Sequence, residues 1–589
     1  MFYGIMKMRI KRRKNSKEDN EVNPNPIKAR EYIQELNDGW LFGFDKMTWR
    51  EIRVPFCPES KLSGIGHKDF IYVCYYKNRF TVDRKAGRVF INFGAVDYHA
   101  VLYVNGKYAG RHTGGYTPFA LDITELLTCG ENELLLEVRD NEKTSHAFGK
   151  QSYKKDSFGC FYTRVTGIWQ PVWLEFVPAN HIKDFRFYPD SETAKVGVEL
   201  ETSGKGNYRV TVFYDKRKVG EARGKLAYKT RFDVELSEKH LWEVGKGELY
   251  DVTIEYENDR ISSYFGLRSV KYDGYRFLLN GRSVFQKLVL DQGYHPDGIY
   301  TMPDVESMQR DIDNALALGF NGARLHQKVF DPRFLYLCDK AGFMVWGEYP
   351  NWGIDYSNAD GLGQFLAEWQ ETLKRDFNHP SVVTWCPLNE VWGAWDDPEK
   401  LPDVRFVEQV YDFTKRFDCT RPCVDASGGF HGDKTDLFDF HCYESVEQLK
   451  KYIGKLNESD VLEVPLLYAD ENSVRYKKGQ PINISEYGGI AFGTATAEKS
   501  RIDTVNEGAV QSTEAWGYGK GEPTTEGFVE RCRAVTELIF SCKKISGYCY
   551  TQLYDVEQEQ NGFYKYDRTC KLTRDEIEEI RRIQSQRTE

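Results

Sequence analysis

The sequence lacks several features that would each assign it to a class of protein. No apolar stretch among its 589 residues approaches the roughly 18 that cross a bilayer as a helix, so we predict no membrane partner. Lys and Arg total 80 against 89 Asp and Glu, a net charge of −9, and this lack of basic excess argues against binding to nucleic-acid phosphates. The 13 Cys are an odd number without a Cys-x-x-Cys pair, which favours reduced thiols and a cytoplasmic location.

Clusters of metal ligands and a secretion signal are also missing. Cys419 and Cys423 lie close together without a second ligand pair nearby, and no His-x-His follows a predicted strand, so we predict no metal and no cofactor. In the N-terminal segment a mostly apolar hexapeptide precedes a cationic cluster, and no apolar stretch follows it. This order does not match a signal peptide, and we expect residues 1–30 to be a basic, disordered tail.

The sequence is instead rich in aromatic side chains, 14% of all residues, and its 41% apolar content is enough for several packed cores. Residues 31–178 contain apolar and alternating runs of strand length, separated by turn signals such as Asn105-Gly106. Strands at this spacing without helices predict a β-sandwich or a jelly roll. Residues 179–270 continue the pattern and predict a smaller immunoglobulin-like sandwich.

From residue 271 onward, short apolar runs alternate with amphipathic helices, which predicts repeated βα units. One helix is expected over 304–318, with Asp304 as its N-cap and Gly319 as its end, and others near 361–377, 403–417 and 526–543. Eight strands predict a (β/α)8 TIM barrel over 271–589. They are 284–290, 320–325, 343–348, 382–388, 422–426, 437–443, 481–486 and 547–552.

Barrel active sites lie at the carboxyl ends of the strands, where this sequence has two carboxylates, Glu390 and Glu486, each flanked by Asn or Tyr. Glycoside hydrolysis needs such a pair, because one acid protonates the leaving oxygen while the other carboxylate attacks or activates water. A Glu after a strand is more often a helix-terminal or surface charge, but two at one barrel mouth favour catalysis. Other polar residues at strand ends are Arg324, His326, Glu348, Asn389, His441, Tyr443, Tyr550 and Gln552.

Several short motifs, in their order and spacing, resemble those of a known family. They are 104–107 (VNGK), 122–124 (DIT), 167–172 (GIWQPV), 265–268 (FGLR), 279–281 (LNG), 319–321 (GFN), 338–342 (CDKAG), 379–383 (HPSVV) and 389–390 (NE). On these motifs the chain resembles glycoside hydrolase family 2, the β-galactosidase and β-glucuronidase family, over nearly its whole length. The resemblance implies a jelly-roll sugar-binding domain, an immunoglobulin-like domain and a catalytic barrel, in that order.

By this resemblance, Glu390 is the acid/base and Glu486 the nucleophile of a retaining exo-β-glycosidase that acts through a covalent glycosyl-enzyme. Asn389 matches the residue that holds the substrate 2-hydroxyl, and Arg324 and Tyr443 match those that hold the nucleophile. We expect a small saccharide or glycoside as substrate, with a homo-oligomer left open. The remaining substrate-binding candidates are His326, Gln292, Glu348, Trp516 and Tyr550.

The sequence departs from family patterns at positions that bear on the sugar. Tyr349-Pro350 follows Glu348 where magnesium-dependent β-galactosidases have Glu-x-His, and 290–295 has no Arg-His pair. Glu559-Gln560-Asn561 stands where β-glucuronidases carry Asn-x-Lys, and an acidic residue there would repel a uronate. A β-galactoside is therefore the first expectation, with a β-glucuronide, a β-xyloside or an arabinoside as alternatives. An inactive carbohydrate-binding protein is the alternative from another class, and a metal-dependent barrel hydrolase is disfavoured.

Two loops are further candidates. The long segment 487–525 follows the predicted nucleophile and is rich in Gly and Thr, so we expect it to wall the sugar subsite, with Trp516 or Tyr518 as a stacking platform. Core packing is as good an interpretation of Trp516. Lys150 and Gln151 lie on a loop of the first sandwich that could reach the barrel mouth.

Overall fold

The structure is a computed structural model that describes residues 23–82, 87–141, 145–391, 401–464, 473–492 and 514–589. The predicted tail is thus described only from residue 23, and much of the segment 487–525 lies outside the described residues. Within the described ranges, no helix is both long and apolar enough to span a bilayer.

The N-terminal region consists of antiparallel sheets around one core. Its strands are β1 (Ala29–Arg30), β2 (Ile33–Glu35), β3 (Trp40–Gly43), β4 (Arg50–Ile52), β5 (Val73–Val82), β6 (Arg88–Phe93), β7 (Val96–Asp97), β8 (His99–Val104), β9 (Lys107–Thr113), β10 (Phe119–Asp122), β11 (Gly130–Arg139), β12 (Gly167–Ile168) and β13 (Val172–Val177). Short 3₁₀ helices lie at Pro26–Lys28 and Thr124–Leu126. The sheet β4-β3-β5-β11-β8-β9 and the sheet β10-β6-β13-β2 contribute to the same apolar core, while β12 pairs with β7.

The second region has its own core. Its strands are β14 (Ile182–Asp190), β15 (Lys195–Tyr214), β16 (Arg217–Glu235), β17 (Tyr250–Tyr256) and β18 (Asp259–Phe265). They form an antiparallel sheet in the order β1-β18-β17-β15-β14, with β16 paired to β15. A three-stranded sheet of β19 (Val270–Asp273), β20 (Arg276–Leu279) and β21 (Arg282–Ser283) then leads into the barrel.

The prediction of a disordered tail up to residue 30 is wrong for residues 29–30, because β1 is part of this second sheet. Ala29 and Arg30 pair with Ser262 and Ile261. The guanidinium of Arg30 is buried and bonds to Asp259 at 2.5 Å and to Glu175 at 3.0 Å. These two carboxylates neutralise the cation, so the basic residue does not have to remain in solvent.

The C-terminal region alternates strands and helices, as the sequence predicts. Its strands are β22 (Gln286–Asp291), β23 (Gly322–Leu325), β24 (Met344–Glu348), β25 (Val382–Cys386), β26 (Phe438–Cys442), β27 (Ile482–Gly488), β28 (Ile490–Phe492), β29 (Tyr518–Glu522) and β30 (Ile545–Thr551). Its helices are α1 (Val305–Ala317), α2 (Pro332–Ala341), α3 (Ala359–Asp376), α4 (Val404–Phe417), α5 (Val446–Ser459), α6 (Thr525–Phe540) and α7 (Arg574–Ser585). Asp304 caps α1 by accepting a hydrogen bond from the Ser307 amide, which confirms that helix start.

Seven of these strands form a parallel sheet in the order β25-β24-β23-β22-β30-β27-β26. The fifth predicted strand, 422–426, is not a regular strand: it makes one parallel bridge to β25, between Cys423 and Trp385, and a second bridge joins Ser427 to Asn389 just beyond both segments. On its other side, the amides of Cys423 and Asp425 donate to the side chains of Asp436 and Thr435. These two backbone amides would otherwise donate to the backbone of β26. Because side chains accept from them instead, no regular fifth strand forms.

Alternation along the barrel strands separates two apolar clusters. Leu288, Leu290 and Trp346 belong to one cluster with residues of β19 and β20, at the closed end of the barrel interior. Val289, Val345 and their equivalents face the surrounding helices. The carboxyl ends of the strands are left for polar side chains, and the candidate site lies there.

Candidate active site

Arg324 on β23 is the central cation of the site. It follows Gly322 by two residues, so both face the barrel interior, and the Arg324 side chain is fully buried. Its Nε donates to Glu348 at 2.6 Å, Nη1 to Glu486 at 2.8 Å and Nη2 to the Asn389 side chain at 2.5 Å. The planar guanidinium thereby fixes side chains from β24, from β27 and from the segment after β25 at once.

A bulge in β27 aims Glu486 into the barrel. Phe440 pairs with Ile484 and His441 pairs with Glu486, so β27 carries one residue more than β26 at this point. Ser485 and Glu486 consequently both face inward, whereas Ile484 and Tyr487 belong to the cluster under the helices. Bulges of this kind commonly re-aim a side chain near an active site.

The Glu486 carboxylate is buried among donors. Besides Arg324, it accepts a hydrogen bond from the Tyr443 hydroxyl, which also contacts the Thr551 hydroxyl at 2.9 Å. Burial alone would raise the pKa of Glu486, but His441 and Arg324 outweigh it and hold this pKa far below its usual range. Glu486 is therefore ionised at neutral pH, as attack on a sugar carbon requires.

Glu390 lies opposite, directly after Asn389. Its side chain is 22% exposed, against 6% for Glu486, so it is the carboxyl that solvent reaches more easily. Its backbone has a φ of 42° and donates to the Ser427 carbonyl at 2.7 Å. One oxygen of its carboxyl lies 2.7 Å from Nδ1 of His441.

The spacing of the two carboxyls determines what they can do together. One oxygen of Glu390 and one of Glu486 lie within 4.8 Å of each other. This agrees with the roughly 5–5.5 Å of retaining glycosidases, whereas inverting enzymes need about 6.5–9.5 Å for an intervening water. The arrangement can therefore deliver a proton from one side of a glycosidic bond and a nucleophile from the other.

Asn389 is buried beside the pair. Its side-chain oxygen accepts from Arg324, and its backbone is fixed by Asn351, whose side-chain amide donates to the Asn389 carbonyl at 2.8 Å. The Asn389 side-chain nitrogen has no hydrogen-bond partner within the described part of the chain. A buried donor of this kind is left for a ligand oxygen.

His326 and Glu348 form a second layer around Arg324. Nδ1 of His326 lies 2.8 Å from Glu348, and both side chains are almost fully buried. Burial raises the pKa of Glu348, but Arg324 and His326 outweigh it and lower this pKa to about 2. Glu348 thus balances the charge of Arg324, and both predicted residues are within one network with Glu486.

A loop of the N-terminal region is docked on the barrel mouth. The amides of Phe148 and Gly149 donate to the Trp352 carbonyl at 2.9 and 3.1 Å. From the barrel side, the Trp516 indole donates to the Gly159 carbonyl at 2.8 Å, and Gln558 donates to the same carbonyl at 2.7 Å. Trp516 is thereby buried between this loop and the barrel.

This loop brings the cation of Lys150 to the site. Its ammonium lies 4.1 Å from the centre of the Trp352 ring, and the residue is 7% exposed. Burial lowers the pKa of Lys150, but Cys160 in its thiolate form and the carboxylates of Glu559, Glu486 and Glu390 raise it above its usual value. Lys150 is thus a buried cation whose charge acts on both carboxylates of the pair.

Gln151, the neighbour of Lys150, serves the N-terminal region instead. Its side chain donates to Asp97 at 2.8 Å and to the Tyr116 hydroxyl at 2.9 Å, and accepts from the Val165 amide. It therefore fixes the base of the docked loop.

Tyr518 and Tyr443 form a stacked pair of rings with centroids 3.6 Å apart. Tyr518 thus covers the residue that donates to Glu486.

Gln292 follows β22 on the same face as Leu288 and Leu290, and its buried side-chain oxygen has no partner among the described residues. Glu559, expected to repel an acidic sugar, accepts from Tyr162 at 2.6 Å and from Asn561 at 3.1 Å.

The prediction that Tyr550 binds substrate is not supported by its position. Its ring packs against Tyr487 and Phe563, and its hydroxyl contacts Cys532 on α6. In β30 the inward residues are instead Cys549 and Thr551, since Cys549 belongs to the interior cluster and Thr551 contacts Tyr443. The Tyr550 hydroxyl therefore faces a helix.

His441 is the functional candidate to which the sequence interpretation gave no role. The sequence places it at a strand end, and the alternation of Asp439, His441 and Tyr443 predicts one inward face for all three. Its contact with Glu390 depends on a residue 51 positions earlier and has no local signal.

Within the described ranges, one group of possible metal ligands lies close enough together to hold a cation: Glu390, His441 and Glu486. Nδ1 of His441 is within hydrogen-bond distance of Glu390, and Arg324 already balances Glu486. These interactions use the same atoms, so we assign no metal to the group.

Family models match most of the chain. The model described as the TIM barrel domain of glycosyl hydrolases family 2 matches residues 270–520. The sugar binding domain of the same family matches 69–178, and a third model of the family matches 180–268.

Curated relatives are similar in sequence. A β-galactosidase of Thermoanaerobacter pseudethanolicus is 28% identical over 66% of this chain and 54% of its own length. A putative β-glucuronidase of Formosa agariphila is 22% identical over 69% of this chain and 50% of its own length, and a β-glucuronidase of Paenibacillus borealis is 26% identical over 72% and 75%. The chain thus spans about half the length of the first two.

Solved structures share the fold. A GH2 β-galacturonidase from Eisenbergiella tayi aligns with a TM-score of 0.72 over 94% of this chain and 97% of its own, at 20% identity. A β-glucuronidase of an uncultured Clostridium sp. aligns with a TM-score of 0.74 over 95% and 98%, also at 20% identity.

Proposed function

The chain belongs to glycoside hydrolase family 2, and on this premise we propose that it is a retaining exo-β-glycosidase that hydrolyses terminal β-linked sugars. One observation carries the proposal: two carboxyls within 4.8 Å of each other have different surroundings, one buried among donors and one nearer solvent. The β-galactosidases among the relatives support a β-galactoside as first substrate. The catalytically inactive alternative has no use for such a pair.

In the proposed mechanism, Glu486 attacks the anomeric carbon while Glu390 gives its proton to the leaving oxygen. A covalent glycosyl-enzyme forms, and Glu390, now a carboxylate, takes a proton from the water that releases the sugar. Arg324 and Tyr443 keep Glu486 ionised and oriented. The amide nitrogen of Asn389, which has no partner among the described residues, would hold the substrate 2-hydroxyl, a contact that strengthens in the transition state.

For the domains, we propose a jelly-roll sandwich at 31–178, an immunoglobulin-like sandwich at 179–270 and the catalytic barrel at 271–589. The separate apolar cores of the first two regions support these boundaries. His326, Glu348 and Gln292 are proposed to line the sugar site together with Asn389. The substrate is a small saccharide or glycoside. The cytoplasmic location and the homo-oligomer remain predictions from the sequence.

A panel of nitrophenyl β-glycosides combined with Glu390→Ala tests this proposal. The wild-type protein should hydrolyse at least one glycoside and release a β-configured product first. Glu390→Ala should slow poor leaving groups by about 10²–10⁴-fold and activated aryl groups far less, because only the former need a proton. Azide should then restore turnover of the activated substrate and give a β-glycosyl azide.

The panel has clear contrary outcomes. No turnover of any glycoside by the wild-type protein contradicts the enzyme proposal, and an α-glycosyl azide contradicts retention. Glu486→Ala is the matched variant, since it should be inactive on good and poor leaving groups alike. Loss of activity with a chelator would favour a metal-dependent hydrolase.

A β-uronidase is the second candidate, and Lys150 is the observation that favours it. Its buried cation acts on Glu559, Glu486 and Glu390, so the acidic Glu559 is opposed by a positive charge. A sugar carboxylate near Lys150 would find a cation in a site of low dielectric. The panel therefore includes β-glucuronide and β-galacturonide, and Lys150→Met, which keeps the chain length, should abolish uronide turnover selectively. Equal loss on neutral glycosides would count against this candidate.

A further inference from the structure

His441 lies between the two carboxyls of the site. Its Nδ1 is 2.7 Å from Glu390 and 3.5 Å from Glu486. Its Nε2 is 3.0 Å from the Ser427 hydroxyl. The side chain is only 6% exposed, so these three groups are its main partners.

A chain of hydroxyls continues behind the ring. The Ser427 hydroxyl is 2.6 Å from the Ser485 hydroxyl, which donates to Asp439 at 2.6 Å. Because Ser485 gives its hydrogen to Asp439, Ser427 can give its own hydrogen to Ser485 and accept one from Nε2 of His441. Nε2 then carries a hydrogen, and a second hydrogen on Nδ1, directed at Glu390, completes the cationic form of His441.

Resting on the function proposed above, we propose that His441 is the positioning residue of the acid/base. As an imidazolium it holds the Glu390 carboxyl through Nδ1 and stabilises the carboxylate that remains when Glu390 gives its proton to the leaving group. The proton moves from Glu390 to the leaving oxygen and returns to Glu390 from water in the second step. His441 keeps both of its protons throughout.

The charges around His441 agree with this role. Glu390 faces it from the chain after β25, Glu486 from β27, Arg324 from β23 and Asp439 from its own strand, with the Tyr443 ring nearby. Burial lowers the pKa of His441 and Arg324 opposes its charge, but Glu486 and Glu390 raise the pKa above its usual value. The net effect favours the imidazolium at neutral pH.

His441→Asn separates charge from hydrogen bonding, because an Asn amide can still donate to Glu390 but cannot carry a proton. Without the cation, the carboxylate that Glu390 leaves after giving up its proton loses its stabilising partner. We expect the alkaline limb of kcat/KM to move to higher pH, because an opposite charge beside the acid/base has been removed. At neutral pH, kcat for poor leaving groups should fall about tenfold while dinitrophenyl glycosides change little.

His379→Asn is the matched control. His379 is likewise buried against a carboxylate, Asp339 at 2.6 Å, but this pair lies outside the candidate site. Its variant should leave the alkaline limb and the leaving-group dependence as in the wild type. An unmoved alkaline limb in His441→Asn, or an equal loss for good and poor leaving groups, overturns the proposal.

A measurement on the wild-type protein covers the case in which the variant does not fold. Histidine labelled with ¹⁵N should show both His441 nitrogens protonated at neutral pH, with the signal assigned by comparison with any soluble His441 variant or with Glu390→Ala. A neutral His441 overturns the proposal even if the protein is an active glycosidase. If the glycoside panel shows no turnover, the proposed function is contradicted, whereas the ¹⁵N measurement reports only on the protonation of His441.

Discussion

At the scale of single residues, the site is an arrangement of opposite charges in which each anion has its own donors. Arg324 serves Glu348, Glu486 and Asn389 with separate nitrogens. Sequence patterns predict site roles for Glu390, Glu486, Asn389 and Arg324, because each lies at or just after a predicted strand end. They gave no role to His441, since its partner Glu390 is far away in sequence.

Tyr443→Phe tests the environment of Glu486. The Tyr443 hydroxyl donates to the ionised form of Glu486, so its removal should raise the pKa of Glu486 from its strongly lowered value. Activity that needs ionised Glu486 is lost as pH falls through this pKa. The acid limb of kcat/KM should therefore move to higher pH by about one unit, which corresponds to about 1.4 kcal/mol.

Tyr487→Phe is the control for this change, because its hydroxyl contacts Thr536 at 3.0 Å on the outer side of the same strand. The acid limb should be the same in this variant as in the wild type. A Tyr443→Phe profile that coincides with the wild type would show that Arg324 and His441 alone keep Glu486 ionised.

At the scale of elements, helix bounds and the orientation of strand residues can be predicted where apolar and polar residues alternate with a clear period. The predicted helix 304–318 is found at Val305–Ala317, because α1 has one buried face and an Asp cap. β30 is buried on both sides, so its sequence gives no alternation from which to tell inward from outward residues. That is why Tyr550 was assigned to the mouth although its ring faces α6.

Gly149→Ala tests the loop docked on the barrel mouth. Gly149 has a φ of 59°, and a Cβ there would lie 2.6 Å from the Gln327 carbonyl and 2.9 Å from Pro350. The methyl group should push the loop and Lys150 away from the barrel. We expect a rise in KM of about tenfold, or about 1.4 kcal/mol of substrate binding, in steady-state kinetics.

Gly106→Ala is the control for this change, because Gly106 has a similar backbone conformation to Gly149 but open surroundings. Its φ is 76°, and a Cβ there meets no heavy atom within 4 Å. Both variants carry the cost of a left-handed Ala, but only Gly149→Ala produces a clash. Equal KM values in the two variants would contradict a role of the loop in substrate binding.

At the scale of the whole molecule, the three regions are tied together by buried polar contacts. Tyr264 of the second region donates to Asp339 of α2 at 2.8 Å, and Arg268 donates to the carbonyls of Pro380 and Val382 in the barrel. The order of the three regions could be predicted from strand and helix patterns. These contacts could not, because they join residues about 75 to 115 positions apart.

Arg30→Met tests such a tie at a distance from the chemistry. It removes the cation that balances Asp259 and Glu175, and leaves Asp259 buried without its partner. The free energy of unfolding should fall by about 3–5 kcal/mol, the usual cost of breaking a buried pair. Chemical denaturation measures this loss, and kcat/KM of the folded variant should equal that of the wild type.

The control is Arg79→Met, since Arg79 pairs with Glu133 at 3.2 Å on an exposed surface. Its loss should change stability by less than about 1 kcal/mol. If Arg30→Met is as stable as this control, the buried ion pairs of Arg30 do not hold the N-terminal segment to the second region.

The bulge in β27 makes the length of this strand part of the chemistry. Ser485 supplies the hydroxyl behind His441 and Glu486 the carboxylate in front of it, from adjacent positions on one face. Loss of the single codon for Ser485 would restore regular alternation and keep Glu486 facing inward, but one residue deeper, by about 3.3 Å. The reading frame would be kept, while the Glu486 carboxylate would move away from Tyr443 and from the proposed sugar site. In this strand, evolution can therefore exchange side chains more freely than it can change their number.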